Sequence, residues 1–288
     1  MFERKIGRLG AGPGEYRAAW QVGIEGDSLL IMDPGTGRLT FHSFRTNREV
    51  GSTPMALLTR ANSVARLGNG TFVGNVVIET PGEAGYPLHQ FSGDGKKTTS
   101  FGSSLPSLRP DLKLATMRIL SSSPSGGLWV AHIVAYEIEL YDNKATLKQV
   151  LRRDVDWFPP GTGRIVTPQP DGEPPQPKVV GVQEDAQGRL WILSVVADPK
   201  WRDAFSRERL PPRRQGSPAY YGVESVNALY DSMIEIIDLR TKRLISSTRV
   251  DEAVAGFAGP ALAWSSIGEG GQSGIVRIRL WALELRDN

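Results

Sequence analysis

The chain has 288 residues, with 40% hydrophobic and 23% charged side chains, a formal net charge of +3 and no cysteine. This is the composition of a globular protein long enough to bury a core; it excludes disulfides and cysteine-ligated metals, and it lacks the concentrated basic stripe expected of a nucleic-acid binder. No run of about 18 apolar residues exists, so no helix is predicted to span a membrane, and the opening MFERKIGRLG has no apolar stretch of the secretory kind.

The first predicted element is a strand over Phe2–Leu9, running into the glycine-rich IGRLGAGPGEY (Ile6–Tyr16). A phosphate-binding loop would need GxxxxGK[ST] or GxGxxG ahead of a helix. Here the spacing is GxGxG, no Lys-Ser or Lys-Thr follows, and Gly12 precedes Pro13, which disfavours helical backbone. The stretch therefore reads as a sharp crossover between sheets. It sets Glu15 at the start of an inner strand, as a candidate ligand-binding residue.

From Ile24 onward a pattern recurs: a glycine turn, a short apolar strand, an alternating strand, a polar turn and a further strand. The segments begin IEGDSLLIMD, RLGNGTFVGN, SPSGGLWVAH and DAQGRLWILS, so that Leu30, Phe72, Trp129 and Trp191 share one register. Alternation over four to eight residues, as in LTFHSF, YEIELY and MIEIID, is the period of a strand. Lead-ins such as WQVGIEG and KVVGVQED add a fourth strand to each unit. Antiparallel four-stranded units repeating every 40–45 residues or so predict an all-β fold, a β-propeller, here as a single domain over 1–288.

Two stretches, Asp156–Pro177 and Asp198–Asp231, interrupt the repeat as loop insertions, and the remainder has the length of about five blades. The tail from Gly256 is one strand short of a blade. Pairing of Phe2–Leu9 beside Ile275–Leu285 is the predicted closure, since an open sheet edge invites aggregation.

Loop parity places both insertions on the same rim, where long loops on a rigid scaffold carry function. The first contains Trp157. The second contains Trp201, Arg202, Arg213, Arg214, Tyr220 and Tyr221, with six basic side chains against two acidic ones between Pro199 and Gly216. These residues are candidates for gripping an anionic or sugar-like ligand by stacking and forked hydrogen bonds. The plainer reading is a solvated loop pinned to its blade by aromatics. WRDAFSRERL is predicted as one short helix.

IGRLGAGPGEY followed by GDSLLIMDPGTGRLTFHSF resembles the bacterial six-bladed β-propeller family related to NHL-repeat proteins. Members carry a G-R-x-G-x-GPGE-aromatic segment, a strand, an aspartate matched here by Asp33, and a glycine-rich turn. In that family a full blade, usually with an export signal, precedes the segment. The resemblance thus implies either a missing first blade or closure with five. It also implies a periplasmic or extracellular protein if the N-terminus is incomplete. Three residues beyond the shared register lie Asp33, Asn75, His132 and Ser194, all polar and all expected to end the second strand of their unit near one face; since polar side chains around the channel hold calcium or zinc in some lactonase-like propellers, Asp33, Asn75 and His132 are candidate metal residues. Turn-capping is the competing role for them. No other cofactor is expected.

There is no GxSxG and no HExxH, and His42, His89 and His132 lie in different repeats. The expected function is a binding or scaffolding module that presents its loop-rich face to a protein, glycan or small ligand. The alternative is a metal-assisted lactonase, lyase or hydrolase at the channel mouth.

Overall fold

The computed structural model describes residues 6–19, 21–25, 27–55, 57, 61–78, 85–103, 113–159, 161, 163–164, 166–211, 219–259, 261–268 and 276–285. The chain divides into two compact units, residues 1–107 and 108–288.

In the first unit, β1 (Arg8–Leu9) pairs in parallel with β2 (Glu15–Tyr16). Then come β3 (Gln21–Glu25), β4 (Ser28–Asp33), β5 (Arg38–Ser43) and β6 (Arg48–Pro54), joined in chain order as one antiparallel sheet. A second such sheet holds β7 (Val64–Arg66), β8 (Phe72–Gly74), β9 (Leu88–Phe91) and β10 (Lys97–Phe101).

The second unit opens on the single helical turn α1 (Lys113–Thr116). Its first sheet, the third of the chain, is β11 (Arg118–Ser123), β12 (Gly127–His132), β13 (Glu137–Tyr141) and β14 (Leu147–Arg152). Next in sequence are β15 (Lys178–Glu184), β16 (Arg189–Ala197), the hairpin of β17 (Phe205–Leu210) and β18 (Tyr220–Val223), then β19 (Tyr230–Asp238) and β20 (Arg243–Val250). The fourth sheet has the order β15-β16-β19-β20, so the hairpin is an excursion between its second and third strands. A fifth sheet contains β21 (Gly256–Gly259), β22 (Leu262–Gly268) and β23 (Val276–Ala282).

The repeated four-strand unit is thus present, with a three-stranded last member among the described residues, as the sequence repeat predicts. Leu30, Trp129 and Trp191 are each third in β4, β12 and β16, while Phe72 opens β8. The glycine before each of β12 and β16 adopts positive φ, 85° at Gly126 and 72° at Gly188, as tight reversals of this kind require. The turns between third and fourth strands likewise each hold one left-handed residue: Asn47, Gly95, Ala145 or Lys242.

Three expectations are corrected. At its described end the predicted N-terminal strand behaves differently: Arg8–Leu9 pairs with Glu15–Tyr16, because the glycine crossover folds the chain back on itself; positions 2–5 and 275 lie outside the described residues. Ser194 does not end its strand, since β16 continues to Ala197. WRDAFSRERL forms a 3-10 turn at Trp201–Ala204 and then β17, not one helix.

The cores lie between successive sheets. Met32, Leu39, Phe72 and Phe91 pack together in the first unit. Trp129, Ile138, Val182, Leu190 and Ile192 join the third and fourth sheets, and Trp191, Leu193, Ile236 and Ala263 join the fourth and fifth. Polar latches complete these seams. The buried carboxylate of Glu184, at the end of β15, accepts hydrogen bonds from Trp129 Nε1 (2.7 Å) and from Ser123 Oγ of the preceding sheet. Glu235 on β19, 1% exposed, accepts from the Tyr136 hydroxyl, Arg153 Nη1 and Ser247 Oγ. Desolvation, followed by the Glu235 charge, pushes the Tyr136 phenol well above its usual range.

Replacing Glu184 by Ala leaves the Trp129 indole N–H and the Ser123 hydroxyl without their buried acceptor. The expected loss is about 1–3 kcal/mol, read as a lower urea midpoint. An unchanged midpoint would show that this latch adds nothing to the seam.

Candidate functional site

The connection from β14 to β15 (153–177) and the excursion between β16 and β19 leave the fourth sheet at the same end, since one leads into its first strand and the other joins its second to its third. They touch: Arg202 Nε donates to Pro170 O (3.1 Å) and Arg202 Nη2 to Gly172 O (3.5 Å). The excursion has a small core of its own in Trp201, Ala204, Phe205 and Leu229. Trp201 is 3% exposed, set edge-on to Phe205 at 6.0 Å, with the Arg202 guanidinium 4.4 Å from its ring centre. It is therefore an anchor for the loop and not a free stacking surface, because the loop's other aromatic and apolar side chains need it as their packing partner.

Two depressions flank the contact. One, of about 870 Å³, is a polar groove lined by Pro170, Arg202, Asp203, Arg207, Glu208, Tyr221 and Glu224, among others. The other, of about 420 Å³, is a more apolar cleft lined by Trp157, Pro159, Glu173, Pro174, Pro175, Pro177, Met233 and Arg249, with Val196 and Ala197. Trp157 is held by edge-to-face contacts with Tyr136 (5.6 Å) and Phe158 (5.8 Å). Arg249 is oriented by Asp231 Oδ2 (2.6 Å from Nε) and by Ala197 O (2.9 Å from Nη2).

Of the residues singled out from sequence, Trp157, Arg202 and Tyr221 line these depressions. Tyr220 is half-buried in β18 opposite Leu210 and lines neither; Arg213 and Arg214 lie outside the described residues. Arg249 and Met233 were missed because each sits in a strand with no local signal. The proline run PQPDGEPPQP was the signal that went unread.

Glu15 is committed internally. Its carboxylate takes Gly12 N (2.8 Å) and Arg8 Nε (2.8 Å), which together hold its pKa below the usual glutamate value. The glycine stretch is thus filled by its own carboxylate instead of a phosphate.

Asp33 is fully buried and accepts from Arg17 N (2.8 Å), Ala18 N (2.9 Å), Gly35 N (2.9 Å) and Thr36 Oγ1 (2.9 Å). Asn75 accepts from Asn62 Nδ2 (3.2 Å) and donates to Pro87 O (2.8 Å). Both side chains are spent on turns and do not fit a cation. His132 differs. Its Nε2 lies 3.8 Å from Glu137 Oε1 and 3.6 Å from Glu139 Oε1, with no hydrogen-bond partner among the described residues.

The registers Arg118↔His132 and Glu137↔Arg152 continue this cluster across the sheet as an Arg-His-Glu-Arg row. Arg152 binds Glu137 through Nε (2.6 Å) and Nη2 (3.2 Å). Burial raises the Glu139 pKa, but His132, the Tyr141 hydroxyl and Arg118 outweigh it and hold the group below its ordinary value. A second group, Asp198, Asp231 and Asp251, brings one carboxylate oxygen from each residue within 4.8 Å of the others.

No protein-family model matches the sequence, and no curated protein does. Among solved structures, the chain is similar to a protein of Bacteroides fragilis inferred to be exported, with TM-score 0.55 and 8% identity over 92% of this chain and 71% of that one. It is similar to a DUF4221 family member of Bacteroides vulgatus, with TM-score 0.51 and 8% identity over 88% and 74%. Against a Kuenenia stuttgartiensis hydrazine synthase chain it spans 62% of that chain's length, with 92% of its own, at TM-score 0.43 and 10% identity, a likeness that carries no argument. At such identities the first two likenesses speak to fold alone, and with the repeated four-stranded sheets they define a β-propeller.

Asp33 yields a pH signature. Burial pushes its carboxyl up, but the hydrogen bonds from Arg17, Ala18, Thr36 and Gly35 together win, so its folded pKa lies below the ordinary aspartate value. Its contribution to stability is therefore full above the unfolded pKa of about 3.9 and is lost as pH falls through the folded value. Asp33→Asn is expected to lower stability at pH 7 and to flatten the acid limb of a stability–pH profile. Parallel profiles for the two proteins would refute this.

Proposed function

We propose that the chain is a non-catalytic binding module, in which the propeller holds two loops as a rim for a protein, glycan or small ligand. The ligand this rim suits carries polar groups that can meet both the arginines and the carboxylates of the groove, beside a flat or apolar part. The observation that carries the reading is the pairing of a groove bearing Arg202, Arg207 and Tyr221 with a proline- and Trp157-lined cleft that has Arg249 in its wall. Guanidinium forks bind carboxylates and phosphates, and rigid proline and tryptophan surfaces lose little entropy on contact.

Kinship with NHL-repeat-like bacterial propellers, supported by the GPGE segment, belongs to the same proposal. So does export from the cell, supported by the B. fragilis neighbour. The second reading, a metal-assisted lactonase, lyase or hydrolase, is favoured by the proximity of His132, Glu137 and Glu139. The two arginines in that row weigh against a further cation there.

Screening the chain against glycans and peptides, acidic and neutral, tests the proposal. Arg207→Ala, a change at an exposed side chain, is expected to weaken the best hit by roughly tenfold, the worth of one charge-assisted hydrogen bond. Affinity untouched by Arg207→Ala and by Tyr221→Ala would remove the groove from the account, and turnover abolished by a chelator would favour the enzyme.

A further inference from the structure

We propose that Asp198, Asp231 and Asp251 bind one calcium ion at the foot of the insertion. Asp198 follows the end of β16, Asp231 is second in β19 and Asp251 follows the end of β20, so antiparallel pairing delivers all three to one end of the fourth sheet. One oxygen from each lies within 4.8 Å of the others. The only basic side chain paired with any of the three among the described residues is Arg249, on Asp231 Oδ2, which leaves an excess of negative charge at this point.

The second observation is Asp231 itself. It is 4% exposed, and its Oδ1 has no hydrogen-bond partner among the described residues. A buried carboxylate oxygen left unpartnered is costly, and an ion is one of the few things that satisfy it.

The donor set selects the ion. Three carboxylates with no imidazole or thiolate suit a hard cation. Calcium takes several carboxylates directly at about 2.3–2.6 Å, whereas magnesium keeps most of its waters and is held through one or two. Asp198 Oδ1 already accepts from Lys200 N (2.5 Å), and exposed Asp251 leaves room for water to complete the shell. Because Asp198 and Asp231 bracket the excursion, the ion would pin its two ends together. This site is independent of the ligand reading above.

The test is calorimetric titration of the chelator-stripped full chain with CaCl2 and then MgCl2, alongside thermal melts. Asp251→Asn and Asp198→Asn serve as variants; Asp231 is left alone because it also holds Arg249. Expected are one saturable calcium site, weaker magnesium binding and a rise in Tm of roughly 5–10 °C at a hundredfold excess of calcium over Kd. Affinity should fall at least tenfold in each variant, while Arg207→Ala keeps its calcium. No saturable uptake at millimolar calcium, or variants that bind like the parent, would overturn the site.

Discussion

The structure depends on packing sheet faces against one another while satisfying the few polar groups caught between them. A four-stranded antiparallel sheet has two faces, and an interior position offers water to neither. Leu190, Ile192 and Trp129 fill the seam between the third and fourth sheets with apolar surface. The tryptophan, however, brings an indole N–H that must find an acceptor once buried. Glu184 supplies it from the adjoining sheet, so one carboxylate is both a hydrogen-bond acceptor and a statement of which sheet comes next. Asp185, one residue on, does the same within its own sheet for Trp191 Nε1 (2.8 Å). Glu235 adds a third point of contact, joining Tyr136 and Arg153 to the fourth sheet.

With the sheets fixed in this way, conformational variety is pushed to the connections. The segment 153–177 and the β17–β18 excursion are the longest described connections of the second unit, and they meet through Arg202 and Pro170. Burial of Trp201 and Phe205 gives the described part of the excursion a local core. Polar groups that the sheets cannot accommodate collect here: Arg249 in the cleft wall, Asp231 behind it, and Arg202 and Arg207 along the groove.

Much of this was legible from residue order. Period-two alternation and recurring glycine turns marked the sheets, and the interruptions marked the long connections on either side of β15–β16, because both signals are local. The parts that were not legible depend on distant partners. Asp33 looks the same as a metal ligand or as a turn cap until the amides of Arg17 and Ala18 are seen to converge on it. Trp201 reads as a recognition residue until Phe205 and Leu229 close around it. The convergence of Asp198, Asp231 and Asp251 spans more than fifty positions and has no motif at all; only strand pairing brings them together. The helix expected over WRDAFSRERL gave way to a hairpin because pairing with Tyr220–Val223 outweighed local propensity.

The ladder between β16 and β19 runs without a break from Arg189↔Asp238 to Ala197↔Tyr230. It seals the sheet right up to the point where the excursion departs, so the scaffold's integrity does not depend on what is carried beyond Ala197. The excursion is a cassette in the structural sense: its length and chemistry can diverge, or be exchanged for another hairpin, while the framework beneath keeps its alignment. A lineage built on this framework would be expected to diversify fastest at that doorway and slowest along the ladder beneath it.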